Sequence, residues 1–373
     1  MNKKPNFYPI IVAGGRGTRF WPMSRQRRAK QLLALNGPQT MIQQTFSRLK
    51  PLADRSHFWV ITNEASYPAL VKQLPDVPRK QVIAEPVGRN TAPAIGLAAF
   101  ILAQQDSRAV LGMFPADHAI GNERQFLATL SQAIALAASG DNLVVLGMHP
   151  TRAETGYGYI EVSSALDDRF DERTLRVRRF TEKPDAARAA AFLRAGKFYW
   201  NSGMFLWSAR TLQNMLTEHL PRTAAILQRI ASDFGTRKFA ATLRRLYPKC
   251  ENISVDYAVL EPQSAKGELA SNLFCLPASF EWNDLGSWTA LHEHQVGKTG
   301  APDDNVIRSN GTFTLNALRN YVYAPRKFVA AVGVHDLIVV ETDDALLITS
   351  LEHSQDVGKV VKYLDEKKLK KLV

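Results

Sequence analysis

The sequence predicts an α/β fold: a mixed, mainly parallel sheet flanked by helices over residues 1–297, then a small β-rich region with a terminal helix over 298–373. Three observations carry this. Short apolar runs alternate with helical patterns through the first half, as βαβ units require. After about Lys298 the texture changes to short, evenly spaced apolar runs divided by turn-forming residues. With 45% apolar and 22% charged residues in 373, the chain can bury a sizeable core and has ordinary globular usage.

In chain order, PIIVAGG reads as a strand and its exit loop, TMIQQTFSRL as a helix, HFWVIT as a strand and EASYPALVKQL as a helix. QVIAEP is a strand, NTAPAIGLAAFILAQQ a helix, AVLGMFPAD a strand, NERQFLATLSQAIALAAS a helix and NLVVLGM a strand. From about Tyr157 the pattern is mixed, with YGYIEV, RVRRFTEK and GMFLW as strands and helices between Asp185 and Tyr247. VIRSN, GTFTLNA, NYVYAP, FVAAVGV, LIVVET and ALLIT are the late strands, and SQDVGKVVKYLDEKKL closes the chain as an amphipathic helix. In a sheet of this kind ligands sit beyond the carboxyl ends of the strands, where the motifs below fall.

The formal charge is +12. No nucleic-acid motif accompanies it, so the excess reads as a field that draws in anionic substrates, with no nucleic-acid partner. Cys250 and Cys275 have neither CxxC nor histidine-paired spacing, which fits a reducing compartment. The basic start MNKKPNFYPIIVAGG has too short an apolar run for a leader, and no stretch approaches the ~20 apolar residues of a membrane span. A cytoplasmic protein without a membrane partner is expected.

AGGRGTR follows a strand, and its glycines let the backbone approach an anion and aim N–H groups at it. Arg16, Arg19 and Lys30 add positive charge. The dinucleotide fingerprint GxGxxG lacks its third glycine here, and the P-loop pattern GxxxxGK[ST] is absent. A plain glycine turn without a ligand is a poor account of a loop punctuated by arginines and a lysine.

GGRGTRFWPMSR followed by Lys30 and Gln31 resembles the signature loop of the sugar-phosphate nucleotidyltransferases. Trp21-Pro22 and the later motifs look like the mannose-1-phosphate guanylyltransferases, or GDP-mannose pyrophosphorylases, within that family. The resemblance runs from about Pro9 to Leu364. One departure is Ala29, where the family usually has proline before the lysine; no charged group is lost by it. The resemblance implies a Rossmann-like nucleotidyltransferase domain, a β-helix-like C-terminal region, GTP and mannose 1-phosphate as substrates, Mg²⁺ as cofactor and a homodimer. Some relatives carry a further cupin-like isomerase domain; with the sequence ending at Val373, isomerase activity is not expected.

The site residues follow from the same motifs. Gly14, Gly15, Arg16, Gly17 and Thr18 would bind the nucleotide, with Arg16, Arg19 and Lys30 on its outer phosphates. AEPVGRNTAPAIGLAA adds Glu85, Gly88, Asn90 and Thr91 on the base side. A carboxylate such as Glu85 can accept from guanine N1–H and the 2-amino group, and Asn90 can cap the following helix. FPADHAI and EWNDLGSW supply Asp117 and Asp284, hard oxygen ligands suited to Mg²⁺. His118, His292 and His294 lack the supporting ligands that zinc requires. ETGYGYIEV, FTEKPD and WNSGMFLW give the sugar side: Gly156, Glu182, Asn201 and Gly203, with Lys183 on the sugar phosphate. Asp256 in ISVDYAVLEP also matches; it can orient the Asp284 loop, cap its own helix or touch sugar, with the helix cap as the first expectation. A related nucleotidyltransferase using another sugar or base, and a non-catalytic nucleotide-sugar-binding paralogue, are the alternatives; the latter could lose Lys30, Asp117 or Asp284, and all three are present.

Overall fold

The computed structural model describes residues 5–166, 174–300 and 302–373. Lys3 and Lys4, part of the basic start weighed as a leader, lie outside the described residues. No described helix is long and apolar enough to cross a membrane.

The first eleven strands are β1 (Phe7–Ala13), β2 (Trp59–Asn63), β3 (Val82–Glu85), β4 (Val110–Pro115), β5 (Ala119–Ile120), β6 (Leu143–Met148), β7 (Tyr159–Leu166), β8 (Leu175–Thr181), β9 (Phe198–Ser208), β10 (Leu273–Ala278) and β11 (Trp282–Asn283). Nine of them form one mixed sheet in the order β3-β2-β1-β4-β9-β6-β10-β8-β7. The parallel character is concentrated in β3-β2-β1-β4, with one further parallel pair, β10 on β6. From β9 onward the other pairings are antiparallel, because β9 inserts between β4 and β6 and runs against both.

The helices are α1 (Met41–Leu49), α2 (Tyr67–Gln73), α3 (Thr91–Ala103), α4 (Glu123–Ala138), α5 (Ala186–Ala195), α6 (Ala209–His219), α7 (Pro221–Ala231), α8 (Phe239–Leu246), α9 (Glu261–Ala265), α10 (Trp288–Thr299) and α11 (Val357–Glu366). Their starts follow capping chemistry. The Asp185 side chain accepts from the Arg188 N–H at 2.8 Å, Ser208 from Thr211 at 3.0 Å and Ser287 from Ala290 at 3.2 Å. Helix α3 is apolar all round and is covered on all sides: its core faces the sheet while α6 and α7 close over it. Gly96 permits that approach, since a Cβ there would sit 2.7 Å from Leu216 and Leu227.

The late strands are β12 (Val306–Ser309), β13 (Thr312–Leu315), β14 (Tyr321–Ala324), β15 (Val329–Val332), β16 (Leu337–Glu341) and β17 (Leu346–Ser350). β12, β14 and β16 pair in parallel on one sheet, and β13 and β15 in parallel on another. Successive strands thus alternate between two sheets, which is the path of a β-helical coil. Asparagines stack at one corner: the Asn305 side-chain oxygen accepts from Asn320 N–H at 3.0 Å, and the Asn320 oxygen accepts from Leu337 N–H at 3.0 Å.

This coil does not hang free. One apolar cluster unites Phe20, Trp21 and Leu33 near the glycine loop with Trp288, Tyr321, Ile338, Val361 and Val373. The Trp21 indole N–H donates to the Leu372 carbonyl at 2.8 Å, and the Trp288 indole N–H to the Trp21 carbonyl at 3.1 Å.

Candidate active site

β1 delivers the chain to the loop that begins at Gly14, and buried side chains hold the carbonyls there. The Gln31 amide donates to Ala13 O at 2.7 Å and the Thr62 hydroxyl to the same atom at 3.1 Å. The Asn63 amide reaches Gly14 O at 3.1 Å, and the Ser24 hydroxyl reaches Gly17 O at 2.7 Å. Carbonyls tied back in this way suit a loop that offers N–H groups to an anion. Gly17 sits at φ 64°, and a Cβ on it would overlap the Lys30 Cβ, so the loop can cross Lys30 only as glycine.

A cavity of about 330 Å³ opens between this loop and the start of α3. Gly14, Gly15 and Gly17 line one side, Glu85, Gly88, Asn90 and Thr91 the other, with Asp117 at the end of β4. Asn90 caps α3 as expected, accepting from the Thr91 N–H at 2.9 Å. Glu85 is buried and its Oε1 accepts from the Tyr247 hydroxyl at 2.6 Å. Burial pushes the Glu85 carboxyl up to about 7, against the opposing pull of the Tyr247 hydroxyl and the Arg89 N–H. Two expected lining residues face elsewhere. Arg16 pairs with Asp365 of α11 at 3.4 Å, and Thr18 packs where a Gly358 Cβ would lie 3.5 Å away, because the C-terminal helix takes that face of the loop.

Lys30 lines neither this cavity nor a second one, but ties a wall residue of one to a wall residue of the other. Its buried ammonium donates to Asp117 Oδ2 at 2.8 Å and to the Asp284 carbonyl at 2.7 Å. Burial would raise the Asp117 carboxyl, but the Lys30 ammonium and the other charges and bonds around it leave it below its ordinary value. Asp284 Oδ1 accepts from the Tyr157 hydroxyl at 2.8 Å and from the Gly286 N–H at 3.1 Å. The Arg19 guanidinium donates to the Gly286 carbonyl at 2.9 Å. What brings the two aspartates together is the short antiparallel pairing of β5 with β11, Ala119 against Asn283 and Ile120 against Trp282. His118 accepts from the Trp282 indole at 3.2 Å, and burial holds its pKa down. Buried His292 contacts the Asp304 carbonyl at 2.7 Å. Among the described residues no group of three or more His, Cys, Asp or Glu could hold a metal alone.

The second cavity, about 670 Å³, is lined by Arg19, Arg152, Gly156, Tyr157, Lys183 and Asp284, and also by Leu351 and Ser354 from the far end of the chain. The Lys183 ammonium lies 3.1 Å from Glu182, and its backbone, at φ 46°, donates to the Tyr157 carbonyl at 3.2 Å. Glu182 Oε2 is buried without a hydrogen-bond partner and faces Gly158, where a Cβ would collide with it. Burial pushes the Glu182 carboxyl up. Asn201 and Gly203 sit together: the Asn201 oxygen accepts from the Gly203 N–H at 3.0 Å, and Gly203 adopts φ 70° beside Pro115 and His118.

Asp256 corrects an expectation. It begins a π-helical turn, Asp256–Leu260, whose N-cap is Val255 and lacks a side-chain cap bond. Its carboxylate instead accepts from the Asn201 amide at 2.8 Å. Sequence reasoning also missed Tyr157, which orients Asp284, and Tyr247, which holds Glu85. Arg152 was missed as well; it pairs with Glu154 at 3.0 Å and lies over the Trp200 ring. A further cavity of about 630 Å³ under β14–β16 is mainly apolar and lies apart from this chemistry.

Residues 8–299 match a family model described as nucleotidyl transferase, and residues 312–364 one described as MannoseP isomerase/GMP-like beta-helix domain. A mannose-1-phosphate guanylyltransferase of Salmonella muenchen is 37% identical over 361 residues, 95% of this chain and 73% of that protein. One of Escherichia coli is 38% identical over 362 residues, 96% of this chain and 74% of that protein. A solved structure described as a mannose-1-phosphate geranyltransferase from Thermus thermophilus superposes with a TM-score of 0.84 at 30% identity, covering 96% of this chain and 99% of that one.

Proposed function

This chain belongs to the nucleotidyl transferase family, and from that premise we propose that it joins GTP and α-D-mannose 1-phosphate into GDP-mannose with release of diphosphate. The observation that carries this reading is the bridge that Lys30 makes between the walls of two cavities, to Asp117 of the one built from the glycine loop and Glu85 and to Asp284 of the one carrying Lys183.

A phosphate oxygen of the sugar phosphate attacks the α-phosphorus in line with the leaving diphosphate. The P–O bond to mannose 1-phosphate forms as the bond from Pα to the bridging oxygen breaks. That nucleophile is a phosphate monoester, ionised near neutral pH because its second pKa is about 6. The chain therefore needs no general base; it must hold two anions together and meet the charge of the leaving group. The glycine loop and α3 hold the nucleotide, with Glu85 against the base. Arg19, in the wall of the second cavity, and Lys30, between the two walls, meet phosphate charge. Lys183 anchors the attacking phosphate; Glu182 and Asn201, which line neither cavity, are assigned to the sugar by their motifs.

Asp117 and Asp284 fit a hydrated Mg²⁺: both are hard carboxylates, they flank the same lysine, and one oxygen of each is already fixed by a protein donor. Such an ion, when bound, would neutralise charge between the α-phosphate and the sugar phosphate. Two protein ligands make a weak site alone, so Mg²⁺ affinity should rise sharply when GTP is present, a difference that calorimetry measures. Exposed apolar side chains on the β-helical coil, Phe313, Leu315, Phe328 and Ile348 among them, support a homodimer. The absence of a membrane-length helix among the described residues and the supply of GTP both fit the cytoplasm.

The test is diphosphate release across four nucleoside triphosphates and several sugar 1-phosphates, with and without Mg²⁺. GTP with mannose 1-phosphate should be preferred; equal turnover of another pair would overturn the assignment.

A further inference from the structure

Glu85 is fixed from behind by a side chain 162 positions away. Tyr247 lies in a short turn, Tyr247–Lys249, that follows α8, and its ring is completely buried. Its hydroxyl donates to Glu85 Oε1 at 2.6 Å. A second tie runs between the same two segments, from the Arg89 guanidinium to the Pro248 carbonyl. With Oε1 held, Oε2 lies on the loop side, 3.1 Å from where a Gly14 Cβ would stand, in the wall of the glycine-loop cavity. A carboxylate held by one oxygen cannot swing out of that wall, and its other oxygen keeps a fixed direction.

We propose that Tyr247 is a positioning residue for nucleobase selection, holding Glu85 so that its cavity-side oxygen accepts from a base edge carrying N–H donors and disfavours an edge that lacks them. This rests on the reading of Glu85 as the base contact. The chemistry separates the purines in steps. Guanine offers N1–H and a 2-amino group, hypoxanthine offers N1–H alone, and adenine presents an acceptor at N1. An ionised carboxylate prefers them in that order, whereas a protonated one can donate to adenine N1.

The surroundings agree. Among the described residues, the titratable and charged groups near Glu85 include Arg89 on its own segment, Glu64 on the neighbouring strand end, Tyr247 on the turn after α8 with Cys250 just beyond it, and Asp117 across the cavity. Burial and the neighbouring carboxylate push the Tyr247 hydroxyl up, so it stays a neutral donor at working pH. Removing that donor takes away a bond that favours the ionised form of Glu85, so the pH at which Glu85 ionises must rise.

The experiment measures KM and kcat for GTP, ITP and ATP against pH in the wild type, Tyr247→Phe and Glu85→Gln. Tyr247→Phe should raise KM for GTP at neutral pH by about tenfold, the order expected for a lost bond to a charged group, and more than it lowers kcat. It should narrow the preference for GTP over ATP and move the midpoint of the KM profile to higher pH. Glu85→Gln should abolish that pH dependence. If Glu85→Gln alters selectivity but Tyr247→Phe leaves the profile where it was, or if Tyr247→Phe lowers only kcat and thermal stability, the positioning role is overturned. If Glu85→Gln leaves GTP selectivity intact, the base contact itself is wrong. Should Tyr247→Phe fail to fold, Arg89→Ala, which cuts the second tie, must shift the same midpoint or the proposal fails.

Discussion

Lys30 has both neighbours of its ammonium in place before any substrate arrives, Asp117 on one side and the Asp284 carbonyl on the other. A preorganised charge of this kind costs no reorganisation during the reaction, and Lys30→Ala should lower turnover by roughly 10²–10³. Near-normal steady-state turnover would remove Lys30 from the mechanism. Lys183→Ala should instead raise the KM for mannose 1-phosphate with little change in that for GTP; the reverse pattern would exchange the two cavities. Because burial lifts the Glu85 carboxyl to about 7, wild-type KM for GTP should climb as pH falls through that value, the carboxylate being lost to protonation. At this scale the motifs were legible where chemistry left a local signature: glycines beside arginines, an Asp at a strand end, EKP after a strand. Tyr157, Tyr247 and the partner of Asp256 were not, since an aromatic hydroxyl that acts across the fold looks in sequence like any core aromatic.

Among the elements, the loop from β1 to Lys30 tolerates least. Gly17→Ala would need φ 64° and would drive a methyl into Lys30, so the loop must shift or the lysine must move. A loss of turnover with a modest fall in melting temperature is expected, and normal kinetics in the alanine variant would mean that the loop rearranges freely. The parallel strands β1 to β4 were legible because each is a buried apolar run between helical patterns. β9 was seen only as GMFLW, yet it extends back to Phe198, because Asn201 and Ser202 interrupt the apolar run where the strand passes the site. β5 and β11 were missed because two-residue strands have no period to detect. They are nonetheless what brings the two aspartates together.

For the whole molecule, the β-helical coil and α11 are part of the site's framework. Deleting residues 357–373 would remove the partner of Arg16, the packing on Thr18 and the Leu372 carbonyl that holds Trp21. The truncated protein should lose GTP binding even where its sheet remains folded, which circular dichroism and calorimetry together can separate. If the proposed homodimer forms through the exposed apolar face of the coil, replacing Phe328 and Ile348 by Asp should give a monomer in light scattering without emptying the GTP site; a monomeric wild type, or an unchanged mass in the variant, would overturn that proposal. The coil's run of short strands was foreseen from even spacing and turn residues; its β-helical path was only what the resemblance implied, and the alternation between two sheets came with the structure. Its grip on the loop was not, for nothing in a lysine-rich tail announces a neighbour some 350 positions earlier.

The bond from Trp21 to Leu372 also sets a timetable. A growing chain can build β1 and its loop early, but the Leu372 carbonyl that seats Trp21 is made 351 residues later. The nucleotide site therefore reaches its final form only once residues 357–373 have left the ribosome. A chain stalled before those residues emerge should be unable to sequester GTP, and one stalled beyond them should bind it.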